Sequence, residues 1–404
     1  MKLSLSLLLF ILVSHPPRHH ALDAINLKLF FGAQDLPLWS ALNQNYFTEQ
    51  NLHINYTYTP TSRELREGLA NGDIDLALAA ADNAVLTYES LGETVILMGG
   101  DSGMNEFVMV EPDGADVVVS FEDMRNRTLI VDWPGSAFAL QAYDVLKKGG
   151  GLDRDQYGVV SVGSTRKRYL AMMSMLNNSE GDGGSMDGEQ ATTTYDGCML
   201  NMPFSLLATA NGGADPPAGG SRKQLKNLGK ATDISGPYQS NSLFAMKEWI
   251  NATESSNNTD KAIRFIAAWV KGLRWSMDPA NKDAVVKILS DKLDIDEETA
   301  EQTYGPLMEP GFGLEADAQF LWDGFENVLR IREEFVGGGP YQADEFVDLT
   351  YYNEAIRSLS GSDDDDDLET SGGAVGSKGL AHFFGLGLGI VGIVLMPNLV
   401  YALL

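Results

Sequence analysis

The sequence predicts an α/β protein folded as two lobes, on two observations. Apolar strand-like runs alternate with helical patterns along most of the chain, which is the signature of a mostly parallel sheet covered by helices. That alternation runs once, pauses near Val117, and then runs again. The roughly 330 residues between the two chain ends are enough for two such units by the usual domain-length prior.

In the first unit INLKLFF (25–31) is a strand, LPLWSALNQNYFTEQ a helix, and HINYTYT a second strand. TSRELREGLANG has helical apolar spacing at Leu65 and Leu69, and Thr61 with Glu64 forms a T-x-x-E capping box. DLALAAA (75–81) then reads as a buried strand, DNAVLTYESLG as a helix, and TVILMGG and EFVMVEP as further strands. In GAQDLPLW, Pro37 suits the first turn of a helix, where its missing N–H costs nothing. Gly32 there is expected to let the chain turn tightly.

The second unit gives strand TLIVD (128–132), helix SAFALQAYDVLKK (136–148), strand YGVVSV (157–162) and a helix from Arg166. Residues 177–197 lack apolar periodicity and read as a surface insertion; strand CMLNM and helix FSLLATANG follow. After a Gly/Pro-rich passage at 212–222 and the stretch GPYQSNSLFAM, the chain becomes helical almost to its end.

The ends carry targeting patterns. One Lys precedes the apolar run Leu3 to Val13, and Pro16 and Pro17 follow, the layout of a signal peptide over 1–24. As a membrane anchor the run is too short, since spanning takes about 20 apolar residues. At the far end, small residues Ser371, Gly372 and Gly373 stand before a spacer and an uncharged tail, the layout of a GPI attachment signal, with 374–404 removed. A stop-transfer helix would carry Lys or Arg beyond it. Sequons at Asn55, Asn126, Asn177, Asn251 and Asn257 fit a glycosylated surface protein of a eukaryote. The localisation expected is secreted, held on the outer face of the plasma membrane or cell wall.

Composition limits the chemistry. The formal charge of −27 opposes nucleic acid and acidic membrane surfaces, and part of it is the Asp363 to Asp367 run, read as a solvated stalk over 356–373. Cys198 is the only cysteine, so no intrachain disulfide forms and stability must come from a sizeable core. With the processed ends set aside, His53 is the only histidine left. Catalytic triads and zinc sites need imidazole or thiolate in a cluster, so no catalytic residue, no metal and no cofactor is expected. His53 reads as a surface or edge residue and Cys198 as a small buried strand residue.

Loops at the carboxyl ends of parallel strands converge, and the helices that follow aim their N-terminal amides there. Five such turns can be named: Ala33-Gln34-Asp35, Thr61-Ser62-Arg63, Ala81-Asp82-Asn83, Trp133-Pro134-Gly135-Ser136 and Gly163-Ser164-Thr165. Their hydroxyls, amides and free backbone donors suit a small polar or anionic ligand, although capping explains Ser, Thr and Asp at such places equally well. Trp39 and Trp133 can supply an aromatic wall, and Arg63 or Arg166 can pair with a carboxylate or sulfonate.

The order of these pieces resembles the SsuA/THI5-like (NMT1-type) periplasmic solute-binding proteins of nitrate, sulfonate and taurine uptake. The resemblance covers about 25–355 and lies in FFGAQDLPLW...NYFTEQNLHI, GLANGDIDLALAAADNAV, SFEDMRNRTLIVDWPGSAFALQAYDVLKKGGGL and CMLNMPF, whose Asn201 joins the candidate site. It implies a type II periplasmic-binding fold: two mixed sheets with flanking helices, joined by two crossover strands, with ligand in the cleft between the lobes. Mapped here, lobe one is 25–113 plus 236–355 and lobe two is 114–235, with crossings near Pro112 to Asp116 and Ser235 to Ser240.

The function expected is that of a GPI-anchored, monomeric solute-binding protein with a small-molecule ligand, no covalent chemistry and no permease partner. Two alternatives stand beside it. One is a thiamine-pyrimidine synthase, which the family also contains; those proteins are described by a Cys-rich motif and a reactive His, against Cys198 alone and His53 in a different setting here. The other is a structural surface protein with a degenerate cleft.

Overall fold

The computed structural model describes residues 21–110, 119–178, 195–211, 225–252 and 257–360. In chain order β1 (Asp23–Leu29), α1 (Leu36–Asn43), α2 (Tyr46–Glu49), β2 (Leu52–Tyr58), α3 (Ser62–Ala70), β3 (Leu76–Ala80), α4 (Asp82–Ser90) and β4 (Thr94–Gly100) come first. The next stretch holds β5 (Asn105–Val110), β6 (Thr128–Val131), α5 (Ala137–Gly150), β7 (Gly158–Ser161), α6 (Thr165–Asn178), β8 (Gly197–Asn201), α7 (Phe204–Asn211), β9 (Leu225–Lys230) and α8 (Ala231–Ser235). The chain returns through β10 (Asn241–Met246) and ends in α9 (Lys247–Ile250), α10 (Asn258–Met277), α11 (Lys282–Leu293), α12 (Glu297–Leu307), α13 (Trp322–Val336) and α14 (Thr350–Leu359).

These strands form two five-stranded mixed sheets, ordered β2-β1-β3-β10-β4 and β7-β6-β8-β5-β9. In each, three parallel strands are completed by an antiparallel strand: β10 against β3 and β4, and β5 against β8 and β9. Each sheet with its helices is one lobe. β3, β5 and β8 are buried at every position, and so is β4 at the sheet's end, where Ile96 bonds the segment at Phe346 and Asp348, whereas edge strand β2 alternates and turns His53 and Asn55 outward.

Local chemistry changes several expected elements. The segment 36–50 is two helices, because Asn45 takes a left-handed backbone (φ 61) that ends one and starts the other. Thr61 caps α3 by accepting Glu64 N–H at 3.2 Å, but the Glu64 carboxylate pairs with Lys28 at 2.7 Å in place of closing the box. The segment Leu225–Lys230, unread in the sequence, supplies the edge strand of the second sheet. Helix α10 packs on α1 at Gly272, where a Cβ would fall 2.4 Å from the Pro37 carbonyl; Ser276 and Ser40 bond beside it at 2.7 Å.

The first crossing lies earlier than the sequence places it. β5 pairs with β8 and β9 in the second sheet, so lobe one's first part ends at Gly100 and the chain crosses through Asp101–Met104, not near Pro112 to Asp116; 111–118 lie outside the described residues. The run NEFVMV of β5 reads the same in either sheet, since periodicity carries no pairing information. The return runs through 236–240 into β10. Helix α14 continues to Leu359, with Ile356 and Leu359 packed on the core, so the fold extends past 355 into the segment the sequence assigns to a stalk.

The helical return touches both lobes. Arg330 of α13 bonds Asp144 of α5 at 2.9 Å, and Glu334 pairs with Lys147 at 2.7 Å. One apolar cluster runs from Leu65, Ala84 and Ile96 in lobe one through Phe244, Phe320 and Phe325 to Phe107, Leu129 and Leu140 in lobe two.

The signal peptide, Asp363 to Asp367, Ser371, Gly372, Gly373 and the tail lie outside the described residues. Among the described residues no helix is long and apolar enough to cross a membrane. Asn55, Asn126, Asn251 and Asn257 are exposed, and Asn177 falls in the last turn of α6.

Candidate functional site

The carboxyl ends of the central parallel strands of both sheets open on one cavity of about 360 Å³ between the lobes. Lobe one lines it with Phe30, Phe31, Gln34, Tyr58, Thr59, Ser62, Ala80, Asn83 and Asn241. Lobe two brings Asp132, Ser136, Ala137, Phe138, Ser164, Thr165, Arg166, Arg168 and Asn201.

Two hydrogen bonds join the lobes across this space. Ser62 Oγ donates to Asp132 Oδ2 at 2.6 Å. Asn201 Nδ2 donates to Gln34 Oε1 at 3.3 Å, while Gln34 Nε2 donates to the Phe30 carbonyl at 3.1 Å. Gln34 can fold back in this way because residue 32 is glycine: a Cβ there would fall 2.2 Å from Gln34 Oε1. The chain does turn tightly here, Asp35 N–H donating to the Gly32 carbonyl at 3.2 Å, but Gly32 itself is extended at φ 174 and its role is room for the glutamine amide.

Two buried polar atoms of the lining have no partner, Ser136 Oγ and Asn201 Oδ1. Ser136 stands at the N-cap of α5, yet its hydroxyl makes no capping bond. Capping therefore does not account for Ser136, in contrast to Thr61. An unpartnered buried polar atom costs free energy unless something supplies a hydrogen bond.

Two arginines differ in their freedom. Arg168 is buried and donates to the Gly163 carbonyl at 2.7 Å, to the Met199 carbonyl at 3.1 Å and to Thr165 Oγ1 at 3.0 Å. Burial pushes its pKa down, opposed by Cys198 and Asp132. Arg166 is exposed at the cavity wall and has no hydrogen bond or ion pair among the described residues. Helices α5 and α6, each 14 residues long, begin at this wall and direct their positive ends to it.

Of the sequence candidates, Gln34, Ser62, Asn83, Ser136, Ser164, Thr165 and Asn201 come together here, and Asp35, Trp39, Thr61, Asp82, Trp133 and Gly135 do not line the cavity. Asp35 is fully buried and accepts the Gly32 N–H; burial pushes its pKa well above the usual carboxylate range. Trp39 lies in the core and donates Nε1–H to the Tyr58 hydroxyl at 3.2 Å, so the aromatic wall is Tyr58, with Phe31 set edge-on at 5.1 Å. Asp82 pairs with buried Arg332. Trp133 covers Gly135, where a Cβ would meet the indole at 2.5 Å.

The residues missed have positions the turn rule passes over. Tyr58 and Asp132 sit at or just past the ends of their strands, Phe138 and Arg168 lie within the first turns of their helices, and Asn241 opens an antiparallel strand whose place no sequence pattern reveals. His53 is exposed on β2. Cys198 is fully buried with its thiol pushed up to about 12, and it does not line the cavity.

Fold and cavity define a two-lobed α/β protein with a periplasmic-binding-protein-like fold and a cavity between its two sheets. Residues 33–174 match the NMT1/THI5-like family model. No curated protein matches the sequence. Among solved structures, a protein of Bordetella bronchiseptica RB50 superposes with TM-score 0.63 at 16% identity, covering 84% of this chain and 98% of that one. The periplasmic nitrate-binding protein NrtA of Synechocystis PCC 6803 follows with TM-score 0.61 at 12% identity, covering 84% and 89%. The aliphatic sulphonate-binding protein SsuA of Escherichia coli gives TM-score 0.54 at 11% identity, covering 78% and 86%.

Proposed function

We propose that this chain is a cell-surface solute-binding protein that closes its lobes around a small polar molecule carrying an acid group. The observation that carries the reading is the interlobe cavity with Ser136 Oγ and Asn201 Oδ1 buried and unpartnered. Both atoms call for a ligand that forms hydrogen bonds, which speaks against a degenerate cleft. Arg166 and the first turns of α5 and α6 are the groups that receive the acid. Related folds that bind nitrate and sulfonates support the same class of ligand.

The proposal includes no covalent step. Its support is that neither Cys198 nor His53 lines the cavity. It also holds that the protein acts as a monomer without a permease, is glycosylated at its exposed sequons, and is tethered by a GPI anchor after processing at both ends.

Calorimetric titration against a library of sulfonates, carboxylates, amino acids and pyrimidines tests the ligand-binding part. Saturable binding that Arg166→Ala weakens is expected, and a protein that answers to nothing in the library sinks the reading. Release of the protein from intact cells by phosphatidylinositol-specific phospholipase C tests the anchor.

A further inference from the structure

The cavity offers acceptors as well as donors, and the orientation of its amides is fixed by groups that can only accept. The Phe30 carbonyl accepts a hydrogen bond from Gln34 Nε2, which turns Gln34 Oε1 to Asn201. Asn201 must then donate through Nδ2, and its Oδ1 is left buried at the cavity lining without a donor. Asn83 is fixed in the same way: its Nδ2 donates to the Ala80 carbonyl at 3.2 Å, and no donor meets its Oδ1 among the described residues.

Asp132 adds a charge to these oxygens. Its Oδ2 holds the Ser62 hydroxyl, its Oδ1 meets no donor, and it forms no ion pair among the described residues. Arg168 feels its field but is bonded to Gly163, Met199 and Thr165. An inorganic anion or a plain alkanesulfonate has only acceptor atoms. Such a ligand would leave Asn201 Oδ1 unsatisfied and would meet the Asp132 carboxylate as a like charge. A protonated amine answers each of these groups: it brings several N–H donors, a positive charge for Asp132, and a cation for a cavity walled by Phe30, Phe31 and Phe138.

We propose that the ligand is zwitterionic, presenting a protonated amine to Asp132, Asn201 Oδ1 and Asn83 Oδ1 while its acid group meets Arg166 and the helix N-termini. The inference rests on the solute-binding reading above and narrows its ligand class.

Two matched pairs of probes, differing only in the amino group, test it by calorimetry on the folded protein: taurine against ethanesulfonate, and phenylalanine against 3-phenylpropionate. The aminated member of at least one pair is expected to bind about tenfold tighter or more. Asp132→Asn is expected to shrink that ratio to about threefold or less without weakening the member that lacks the amine. Equal binding within each pair, or preference for the members without the amine, overturns the inference and leaves the solute-binding reading standing. No binding by any probe or by the wider library overturns both. If Asp132→Asn does not fold, the wild-type ratio decides alone.

Discussion

Asn201 and Gln34 join the two lobes through one amide hydrogen bond of 3.3 Å, and its existence depends on a glycine two residues before Gln34. A Cβ at Gly32 would fall 2.2 Å from Gln34 Oε1 and 2.7 Å from Nε2, so the side chain has to leave. Gly32→Ala needs no backbone strain, because φ 174 is an ordinary extended value. The expected result is a ligand affinity lower by about tenfold, or ~1.4 kcal/mol. Unfolding free energy should move by about 1 kcal/mol or less, the net worth of an ordinary hydrogen bond. Calorimetry on the variant decides, and wild-type affinity would mean that the Gln34–Asn201 link does not shape the site.

Arg332 is buried between Asp82, at 3.1 Å, and Glu89, at 2.7 Å. Burial works against the guanidinium charge, but Asp82 and Glu89 outweigh it and raise its pKa. Arg332→Met leaves a fully buried Asp82 without its partner, a change that typically costs about 3–5 kcal/mol. Adding Asp82→Asn removes the stranded charge, and the double variant should recover at least half of the loss. Urea unfolding of both variants measures this; a single variant losing less than about 1 kcal/mol would refute the pairing as the source of stability.

How far the sequence was legible follows from what local patterns encode. Strand and helix identity came through clearly, since Ile25, Leu27 and Leu29 alternate with polar residues in β1, and Leu76 to Ala80 is apolar throughout. Sheet membership did not, because nothing in NEFVMV of β5 says which lobe's strands it pairs with. At the site, Ser136 and Thr61 look alike in sequence, each a hydroxyl before a helix, and only the geometry shows one free and the other capping. Asp82 stood at a strand-to-helix turn as Ser62 did, but its partner Arg332 lies 250 residues away. Asn241 reached the cavity through an antiparallel strand inserted between β3 and β4, a long-range pairing that no local spacing announces.

Asp101 ties the two crossings together. It accepts Gly103 N–H at 2.8 Å and Asn241 Nδ2–H at 2.7 Å, and its carbonyl accepts Ser240 N–H at 2.9 Å. Burial raises its pKa to about 7 against the hydrogen bonds that favour the charge, and Asp35 is a second buried carboxylate close enough to feel it. The unfolded chain releases this proton near pH 4 and the folded chain near 7, so between those values the folded state binds more protons. Stability from this group is therefore full below about pH 4 and is lost as pH rises through about 7. Asp101→Asn should flatten the decline of Tm between pH 4 and 7 relative to wild type. An unchanged slope would remove Asp101 as its source.

Ser136 and Thr61 give a paired test of what a hydroxyl at a helix start is for. Thr61 Oγ1 accepts Glu64 N–H, so Thr61→Ala removes a cap and should cost about 1 kcal/mol of stability while leaving ligand affinity within about twofold. Ser136 Oγ is buried and bonds to nothing, and its residue lines the cavity. Ser136→Ala removes an unsatisfied group, so stability should hold or rise slightly. Affinity should fall by about tenfold as the ligand loses a hydrogen bond worth ~1.4 kcal/mol in the closed site. Thermal unfolding and calorimetry on the two variants separate the roles. If Ser136→Ala destabilises the protein and spares binding, the hydroxyl belongs to the fold and the site lacks one of its two orphan atoms.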